Sequence, residues 1–378
     1  MSDDYFLAPG YTTSGMESIF SAEATVSSIL EFEAALALAL ADAGIAAEEE
    51  ATALAAACSE PVPDPSAILS STWEKGTPLL DLRVEIAGRV DENSGRWFHH
   101  GATTQDAIDT GLMIQARRGL ENIVSDLVSV GRRLHQLTIE HRDQPHMART
   151  FLQDAHATTF GLRTAGWLST VLDHHDDLLR QMSALPVQLG GSSGSRVEYG
   201  EVASDVVSAL GARLGLGTSD VIWHGDRTVV LSLAHSLQRL SRTMAKIATD
   251  VALLASSSIA EVQVRAGGSS SMPGKANPID SIRAVAAATA CTGAVAMLTA
   301  APSHELDRGV GAWHVEWFAV PLVFRTTAAS VEAMRSCLVS LVVDSKAMAA
   351  ATSTYGGMPA KSGTIESVLD RAARVLDL

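Results

Sequence analysis

The sequence predicts an all-α protein built from a bundle of long helices. Two heptad seams support this prediction, and no segment shows a convincing strand-like alternation of apolar and polar residues. The first seam lies in the segment 226–266, which contains neither Gly nor Pro, and consists of Val230, Leu233, Leu237, Leu240, Met244, Ile247, Val251 and Leu254. The second lies in the segment 105–141 and consists of Leu120, Ile123, Leu127, Val130, Leu134 and Leu137. A helix over the first segment would be on the order of 50 Å long, so we expect it to pack against other long helices.

Helical patterns divide the chain into three parts. Residues 1–98 are predicted to form a smaller N-terminal helical domain, with a helix over 22–43 and a loop over 61–65. Residues 99–350 are predicted to form the central long-helix bundle domain. Its five predicted helices cover 105–141, 155–182, 226–266, 279–300 and 313–350. A short C-terminal remnant, 351–378, follows and contains one short helix over 363–378.

Composition and charge indicate a globular protein and disfavour two classes of partner. Of the 378 residues, 47% are hydrophobic and 19% are charged, which is enough apolar material for a large buried core. A formal net charge of −15 disfavours nucleic acid and anionic membranes as partners, and the basic residues form no stripe. An anionic substrate would therefore need a local cluster of positive charge.

The cysteines and the N-terminus predict a cytoplasmic location. Cys58, Cys291 and Cys337 are far apart and odd in number, so they fit neither a disulfide framework nor a zinc-ligand spacing. The first five residues, Met-Ser-Asp-Asp-Tyr, are acidic and lack the basic region and apolar run of a secretory signal.

The uncharged stretch 284–301 could be mistaken for a membrane span. It is rich in Ala, Thr and Gly and has few large aliphatic residues, so its transfer into a bilayer would be weakly favourable. A helix that is apolar on all sides is also typical of a central bundle helix that is fully surrounded. We expect a buried bundle helix here and no membrane partner.

Residues 268–278 are the strongest candidate for a catalytic loop. They read Gly-Ser-Ser-Ser-Met-Pro-Gly-Lys-Ala-Asn-Pro. Glycine and small hydroxyl residues let the backbone approach a ligand closely, while Pro273 and Pro278 limit the path of the chain. Lys275 adds a fixed positive charge. A flexible Ser/Gly linker is the alternative, but linkers seldom combine Met, Lys and two prolines in so short a run.

This run resembles the signature loop of the fumarase/aspartase superfamily, whose pattern is Gly-Ser-Ser-x-Met-Pro-x-Lys-x-Asn-Pro. The resemblance implies a long-helix bundle of the fumarase/aspartase type, with a tetrameric core and active sites shared between chains. It implies that Ser269 is the catalytic base or proton donor at the carbon next to a carboxylate. It further implies that Lys275 and Asn277 hold the carboxylate on which charge accumulates, that Ser270 contacts the substrate, and that no cofactor is needed.

A second candidate segment is His99-His100-Gly101-Ala102-Thr103-Thr104-Gln105-Asp106, named here the first signature segment. Either threonine can cap the following helix, whose N-terminal N–H groups can receive a carboxylate. Adjacent histidines diverge and have no carboxylate or cysteine ligand nearby in sequence, so we expect no metal ion. The segment resembles the superfamily pattern His-x-Gly-x-Thr-Ser-x-Asp, which implies that His99, Thr103 and Thr104 line the substrate site. Arg308 is a further candidate to bind an anion, with a surface salt bridge as the alternative.

The third candidate segment is Arg149-Thr150-Phe151-Leu152-Gln153-Asp154-Ala155, named here the second signature segment. It resembles the superfamily pattern Arg-Thr-His-x-Gln-x-Ala, which implies that Thr150 and Gln153 bind the substrate. Phe151 replaces the histidine that protonates the leaving group in fumarases and amine lyases. A phenyl ring transfers no proton, and a positioned acid typically contributes roughly 10²- to 10⁴-fold. The missing acid therefore indicates a reaction whose leaving or attacking group is already a stable anion.

The carboxymuconate lactonizing enzymes fit this requirement, and the wider sequence resembles them most. The resemblance implies a cofactor-independent cycloisomerase that lactonizes 3-carboxy-cis,cis-muconate or a close analogue in aromatic catabolism, as a homotetramer acting on a small di- or tricarboxylate. A β-elimination lyase on a substituted succinate remains an alternative. It would either release nitrite or be a succinyl-amine lyase whose acid comes from elsewhere, for which His99 is the candidate. A non-catalytic structural relative is a third reading, which Ser269, Lys275 and Asn277 speak against.

Overall fold

The computed structural model describes residues 8–272, 274–301, 304–353 and 363–378, and it confirms an all-α fold. In chain order the α-helices are α1 (Ser14–Ile19), α2 (Ala22–Asp42), α3 (Glu48–Cys58), α4 (Pro65–Lys75), α5 (Leu79–Ala87), α6 (Glu92–Gly95), α7 (Thr104–Glu140), α8 (Phe160–Ser183), α9 (Ala203–Leu214), α10 (Thr228–Leu254), α11 (Ile279–Ala300), α12 (Ala312–Ser340), α13 (Ser345–Thr352) and α14 (Thr364–Val375). Short 3₁₀ helices cover Ala8–Tyr11 and Val197–Val202.

Short strands pair in three antiparallel ladders. They are β1 (Pro145–Thr150), β2 (Gln153–Thr159), β3 (Val262–Gln263), β4 (Ala266–Gly267), β5 (Asn277–Pro278) and β6 (Val342–Val343). β1 pairs with β2, β3 with β6, and β4 with β5. Each ladder lies in a connection between long helices, so the strands shape loops and add no sheet to the core.

Five long helices, α7, α8, α10, α11 and α12, form a bundle with two ends. At the first end α7, α10 and α12 begin and α8 finishes. Arg227, immediately before α10, pairs with Asp109 of α7, and the Trp313 indole of α12 donates to the same carboxylate. Gln188, just beyond α8, exchanges two hydrogen bonds with Thr110 of α7. These contacts bring four helix termini into one buried layer.

The opposite termini of the same helices meet at the second end. The Gly161 N–H at the start of α8 donates to the carbonyl of His141, which follows α7, at 2.8 Å. Arg265, beyond α10, pairs with Asp280 at the start of α11. Its main-chain N–H donates at 3.0 Å to Ser340 at the end of α12. Helices therefore run the full distance between two separate sets of loops.

Both heptad seams lie in the core, as the sequence predicts. No residue of either seam has more than 6% of its surface exposed, and all of them belong to one continuous apolar cluster. Helices of the first 98 residues join that cluster through α2, which packs along α7. The proposed domain boundaries at 98 and 350 remain predictions, and residues 1–7 and 354–362 lie outside the described part of the chain.

Three predicted helices are shorter in the structure. The helix predicted over 226–266 ends at Leu254, because the chain turns there and continues into β3 and β4. The helix predicted from residue 155 begins at Phe160, because 145–159 form the β1–β2 hairpin. β2 is polar on both faces, so it gives no alternating apolar signal. The helix predicted over 313–350 ends at Ser340, since Leu341 is extended (φ −70°, ψ 123°) and leads into β6.

α11 begins and ends where the sequence predicts, but a single chain does not surround it. One face packs on α10 and α12, whereas the opposite face is mostly exposed and uncharged: Ile282, Ala286, Thr289, Gly293, Ala296 and Ala300. We call these six residues the α11 outer face. By length and composition α2 and α11 could each span a membrane. Most of α2 is buried inside the protein, whereas only 39% of the most apolar 18-residue stretch of α11 is buried. The expectation that α11 is buried on all sides is thus not met within one chain.

Candidate active site

One buried carboxylate fixes the first signature segment at the first end of the bundle. Thr103 caps α7 in a capping box with Asp106, which accepts the Thr103 N–H at 2.9 Å. The same carboxylate accepts the N–H groups of Gly190 and Gly191, each at 2.9 Å, and lies 2.7 Å from Nε2 of His224. Asp106 is fully buried, and these four contacts hold the segment firmly against the turn at Gly190 and Gly191. The contact with Asp106 gives His224 a structural role.

His99 is held in an unusual backbone conformation beside a second buried carboxylate. Its φ is 60°, and its N–H and its Nδ1 each lie 2.7 Å from an oxygen of Glu33. Burial alone would lower the pKa of His99, but the Glu33 charge and hydrogen bond outweigh it and hold that pKa above its ordinary value. Thr104 is close by and hydrogen-bonds through its hydroxyl to Thr77 at 3.0 Å.

An ionic cluster lies directly beneath this segment. Arg227 is 3% exposed and makes bidentate contacts with Asp109 at 2.8 and 2.9 Å and with Glu316 at 2.9 and 2.5 Å. Trp313 donates its indole N–H to Asp109 at 2.9 Å, in agreement with a structural role for this tryptophan. Burial raises the pKa of Glu316 even though Arg227 opposes the shift. The cluster locks the starts of α7, α10 and α12 together.

Arg308 lies at the same end, next to the ionic cluster. Its Nε donates to Oε1 of Gln105 at 3.3 Å, and Gln105 in turn donates to the carbonyl of His224 at 3.1 Å. Nδ1 of His304 lies 3.2 Å from that carbonyl, so the segment that follows α11 also lies at the first end. Within the described ranges Arg308 has no carboxylate partner, and its anion-binding role remains a prediction.

The second signature segment lies at the other end and forms the tip of the β1–β2 hairpin. Thr150 and Gln153 pair across the tip and are exposed. Phe151 and Leu152 form the turn with φ of 52° and 62°, and the Phe151 side chain is completely exposed. Left-handed backbone is costly for such residues, so the hairpin presents an apolar turn to the surface at some expense in strain.

A buried ionic group anchors this hairpin to the chain beyond α10. Arg149 pairs with both oxygens of Glu261, at 3.1 and 2.5 Å, and Glu261 is only 1% exposed. His146 lies 3.3 Å from the same carboxylate and accepts a hydrogen bond from Nε of Arg163 at 2.8 Å. Although burial opposes it, these partners lower the pKa of Glu261. The anchor places the hairpin beside the segment that leads into the signature loop.

The signature loop projects from the second end on a two-residue ladder. Gly267 pairs with Asn277 at its base, and the Asn277 amide donates to the Gly268 carbonyl at 3.1 Å. Oγ of Ser269 accepts the N–H of Met272 at 3.1 Å. Ser270 and Lys275 are exposed, and Lys275 has no ion pair in the described part of the chain. Pro273 lies outside the described residues.

The structure therefore divides the predicted site residues into two groups. His99, Thr103, Thr104 and Arg308 lie at the first end, whereas Thr150, Gln153, Ser269, Ser270, Lys275 and Asn277 lie at the second. The groups are separated by the length of α11, about 33 Å for its 22 residues, or by that of α7, about 55 Å for 37 residues. One chain alone cannot bring both groups to a substrate of a few ångströms.

Sequence reasoning missed the two buried carboxylates that orient the candidate site. Glu33 lies within a run of apolar residues in α2, and a lone carboxylate at a position that faces the core was the available signal. Glu261 follows the long helix and gives no such signal, because its partner Arg149 is 112 residues away.

Comparisons with known proteins agree with this fold. Residues 10–293 match the model of the lyase family. The 3-carboxy-cis,cis-muconate cycloisomerase of Pseudomonas aeruginosa is 35% identical over 355 residues, which cover 92% of this chain and 76% of that protein. The nitrosuccinate lyase of Streptomyces davaonensis is 31% identical over 389 residues, with coverage of 99% and 80%.

A solved structure gives the same result in three dimensions. The 3-carboxy-cis,cis-muconate lactonizing enzyme of Pseudomonas putida superposes with a TM-score of 0.86 at 31% identity, over 98% of this chain and 86% of that one. The chain therefore belongs to the lyase family and is an enzyme similar to the 3-carboxy-cis,cis-muconate cycloisomerases.

Proposed function

We propose that the protein is a cofactor-independent cycloisomerase that lactonizes 3-carboxy-cis,cis-muconate or a close analogue in the cytoplasm. The observation that carries the proposal is that the sequence has a complete signature loop but has Phe151 where other superfamily members have the histidine acid. A carboxylate needs no proton to leave or to attack, so this pairing suits lactone chemistry. The names of the cycloisomerase relatives support the same substrate class.

The reaction is an isomerisation with one proton transfer to carbon. A substrate carboxylate oxygen adds to the conjugated double bond, a C–O bond forms, and the displaced π electrons accumulate next to a second carboxylate. Ser269 donates its hydroxyl proton to that carbon, and its alkoxide recovers a proton from solvent. Lys275 and Asn277 stabilise the carboxylate that carries the extra charge.

The loop geometry supports the role of Ser269. A serine hydroxyl is a weak acid in water, so the protein must stabilise its alkoxide. The Met272 N–H lies 3.1 Å from Oγ, and the Ser271 N–H lies 3.4 Å from it. Both donors favour the anion, and Lys275 adds a positive charge on the same short loop.

Assembly into a homotetramer would unite the two groups of site residues. The α11 outer face offers a contact surface with no charged residue and with a heptad-like spacing. Gly293 has no atom within 4 Å of where a Cβ would lie, so a neighbouring helix could approach closely there. In such an assembly, first-end residues of one chain would meet second-end residues of others.

The decisive experiment follows the ultraviolet absorbance of 3-carboxy-cis,cis-muconate with purified protein and no added metal or nucleotide. We expect loss of the conjugated diene with the wild type and a decrease in rate of roughly 10²- to 10⁴-fold for Ser269→Ala. A matched control is Ser271→Ala in the same loop, which should retain most activity. An unchanged rate in Ser269→Ala would refute the proposed proton donor.

A β-elimination lyase is the second candidate, and one relative favours it. Nitrite is a self-stabilised leaving group, and the nitrosuccinate lyase relative covers 99% of this chain. If the muconate absorbance stays flat with folded protein, release of nitrite from nitrosuccinate should be measured next. Turnover of that substrate alone would replace the cycloisomerase proposal with this one.

A further inference from the structure

Glu33 is a buried acid whose hydrogen bonds, in the described part of the chain, all go to one candidate site residue. It lies in the middle of α2, is 0% exposed, and directs one oxygen to the His99 N–H and the other to His99 Nδ1, both at 2.7 Å. A carboxylate buried among apolar residues is unfavourable unless it is paired. The bidentate contact satisfies it and fixes the imidazole by its main chain and its ring together.

This arrangement leaves Nε2 as the ring nitrogen that can meet a ligand. The His99 side chain is 18% exposed, and no acceptor lies within hydrogen-bond distance of Nε2 in the part of the chain that the structure describes. Three charged groups on neighbouring helices act on the His99 imidazole. They are Glu33 from α2, Asp106 from the start of α7 and Arg83 from α5. Two carboxylates against one guanidinium favour the protonated imidazole.

We propose that Glu33 is a positioning residue that keeps His99 as a cation with Nε2 directed to the substrate, so that His99 binds a substrate carboxylate instead of passing a proton. This inference deepens the proposed function and rests on it. The candidate site then includes Glu33, which lies 66 residues from His99 in the sequence, and His99 carries a fixed positive charge. A histidine held this way does not replace the acid that is missing at Phe151.

The sign of the pH dependence follows from the contacts. With Glu33 present, the pKa of His99 is raised, so the cation persists to a higher pH than in a free imidazole and is lost as pH rises through that raised pKa. In Glu33→Gln the charge and the charged hydrogen bond are removed while burial remains, so the pKa should fall below its ordinary value. The cation would then exist only at lower pH.

Two readouts test the proposal, and one is independent of turnover. The first is the NMR titration of ¹³C-labelled histidine in the wild type, with the His99 signal assigned by its loss in His99→Asn. We expect His99 to stay protonated on both nitrogens at neutral pH and to titrate at lower pH in Glu33→Gln. A His99 signal that is neutral at pH 7 in the wild type would overturn the proposal whatever the enzyme's substrate.

The second readout separates binding from chemistry. For 3-carboxy-cis,cis-muconate, Glu33→Gln should raise KM on the order of tenfold at neutral pH, leave kcat within about twofold, and recover KM at lower pH. Glu50→Gln is the matched control, because Glu50 holds the adjacent Trp97 and Arg96 but not His99. A fall in kcat with unchanged KM would assign His99 a proton-transfer role and overturn the proposal. If the wild type does not turn over this substrate, the titration still decides.

Discussion

The two ends of the bundle differ in how far their polar and charged side chains are buried and paired. At the first end, Asp106, Asp109, Arg227 and Glu316 are buried and have all of their partners within the same chain. At the second end, the signature loop and the hairpin tip expose Lys275, Ser270 and Phe151, and the tip also carries backbone strain. Buried ion pairs join the helix termini at the first end, whereas the signature loop and the hairpin tip present exposed groups at the second.

The contrast indicates where the fold is stabilised and where the chemistry is completed. Buried ion pairs hold helix termini in fixed positions, since removing one partner leaves an uncompensated charge. Exposed small residues and a free lysine contribute little to stability but can approach a ligand. In the proposed assembly, the signature loop would receive the groups of the first end from a second chain.

The largest expected effect comes from mixing two impaired variants, one from each end of the bundle. Ser269→Ala removes a second-end group and His99→Asn removes a first-end group, and asparagine tolerates the left-handed backbone at this position. If each site draws its two groups from different chains, mixed assemblies contain some sites with neither change. We expect co-expressed or co-refolded mixtures to exceed the summed activity of the two variants at substrate concentrations below KM, measured as loss of muconate absorbance.

A second mixture provides the control for this test. Ser269→Ala and Lys275→Met alter the same loop, so every site in their mixed assemblies carries one of the two defects. This pair should not regain activity. If the first mixture also stays at the sum of its components while its chains are shown to exchange, each site is made within one chain.

The next effect concerns stability at the first end. Arg227→Met leaves Asp109 and Glu316 buried without a counter-charge, so we expect a loss of about 3–5 kcal/mol in the free energy of unfolding. Arg213→Met breaks an exposed pair with Asp42 and should cost less than about 1 kcal/mol. Urea unfolding followed by circular dichroism measures both. The penalty in Arg227→Met should shrink as pH falls, because the unpaired carboxyls can then be protonated.

Equal losses in the two arginine variants would contradict the contrast between the ends. They would mean that the ionic cluster is held mainly by the apolar packing around it, and that its charges contribute no more than a surface pair does. The free energies should be compared at one protein concentration, because assembly adds to apparent stability.

Much of this architecture could be predicted from the sequence, for a physical reason. The seams and the bounds of α11 were predicted correctly because helix formation depends on residues three and four apart. The candidate site residues were found through local motifs. Their division between two ends could not be predicted, nor could the pairing of His99 with Glu33, because these depend on contacts between different elements, such as the 66 residues that separate His99 from Glu33. The β1–β2 hairpin was missed since its strands show no regular alternation of apolar and polar residues and its turn contains neither Gly nor Asn.

The smallest expected effect lies at the tip of that hairpin. Phe151→His restores an acid at the position where Phe151 now stands fully exposed, and histidine tolerates a φ of 52° better than phenylalanine. Lactonization needs no acid there, so turnover of the muconate should fall by less than about tenfold. A loss of that size is what removing an apolar contact of the phenyl ring with the substrate or with a second chain would explain. The new imidazole should add weak elimination of succinyl-amine substrates, detected as fumarate formation. Phe151→Leu is the control for the loss of the ring, and it should show the first effect without the second. A variant that gains no elimination activity would mean that position 151 does not set the choice of leaving group, and that the preference for a carboxylate arises at the first end instead.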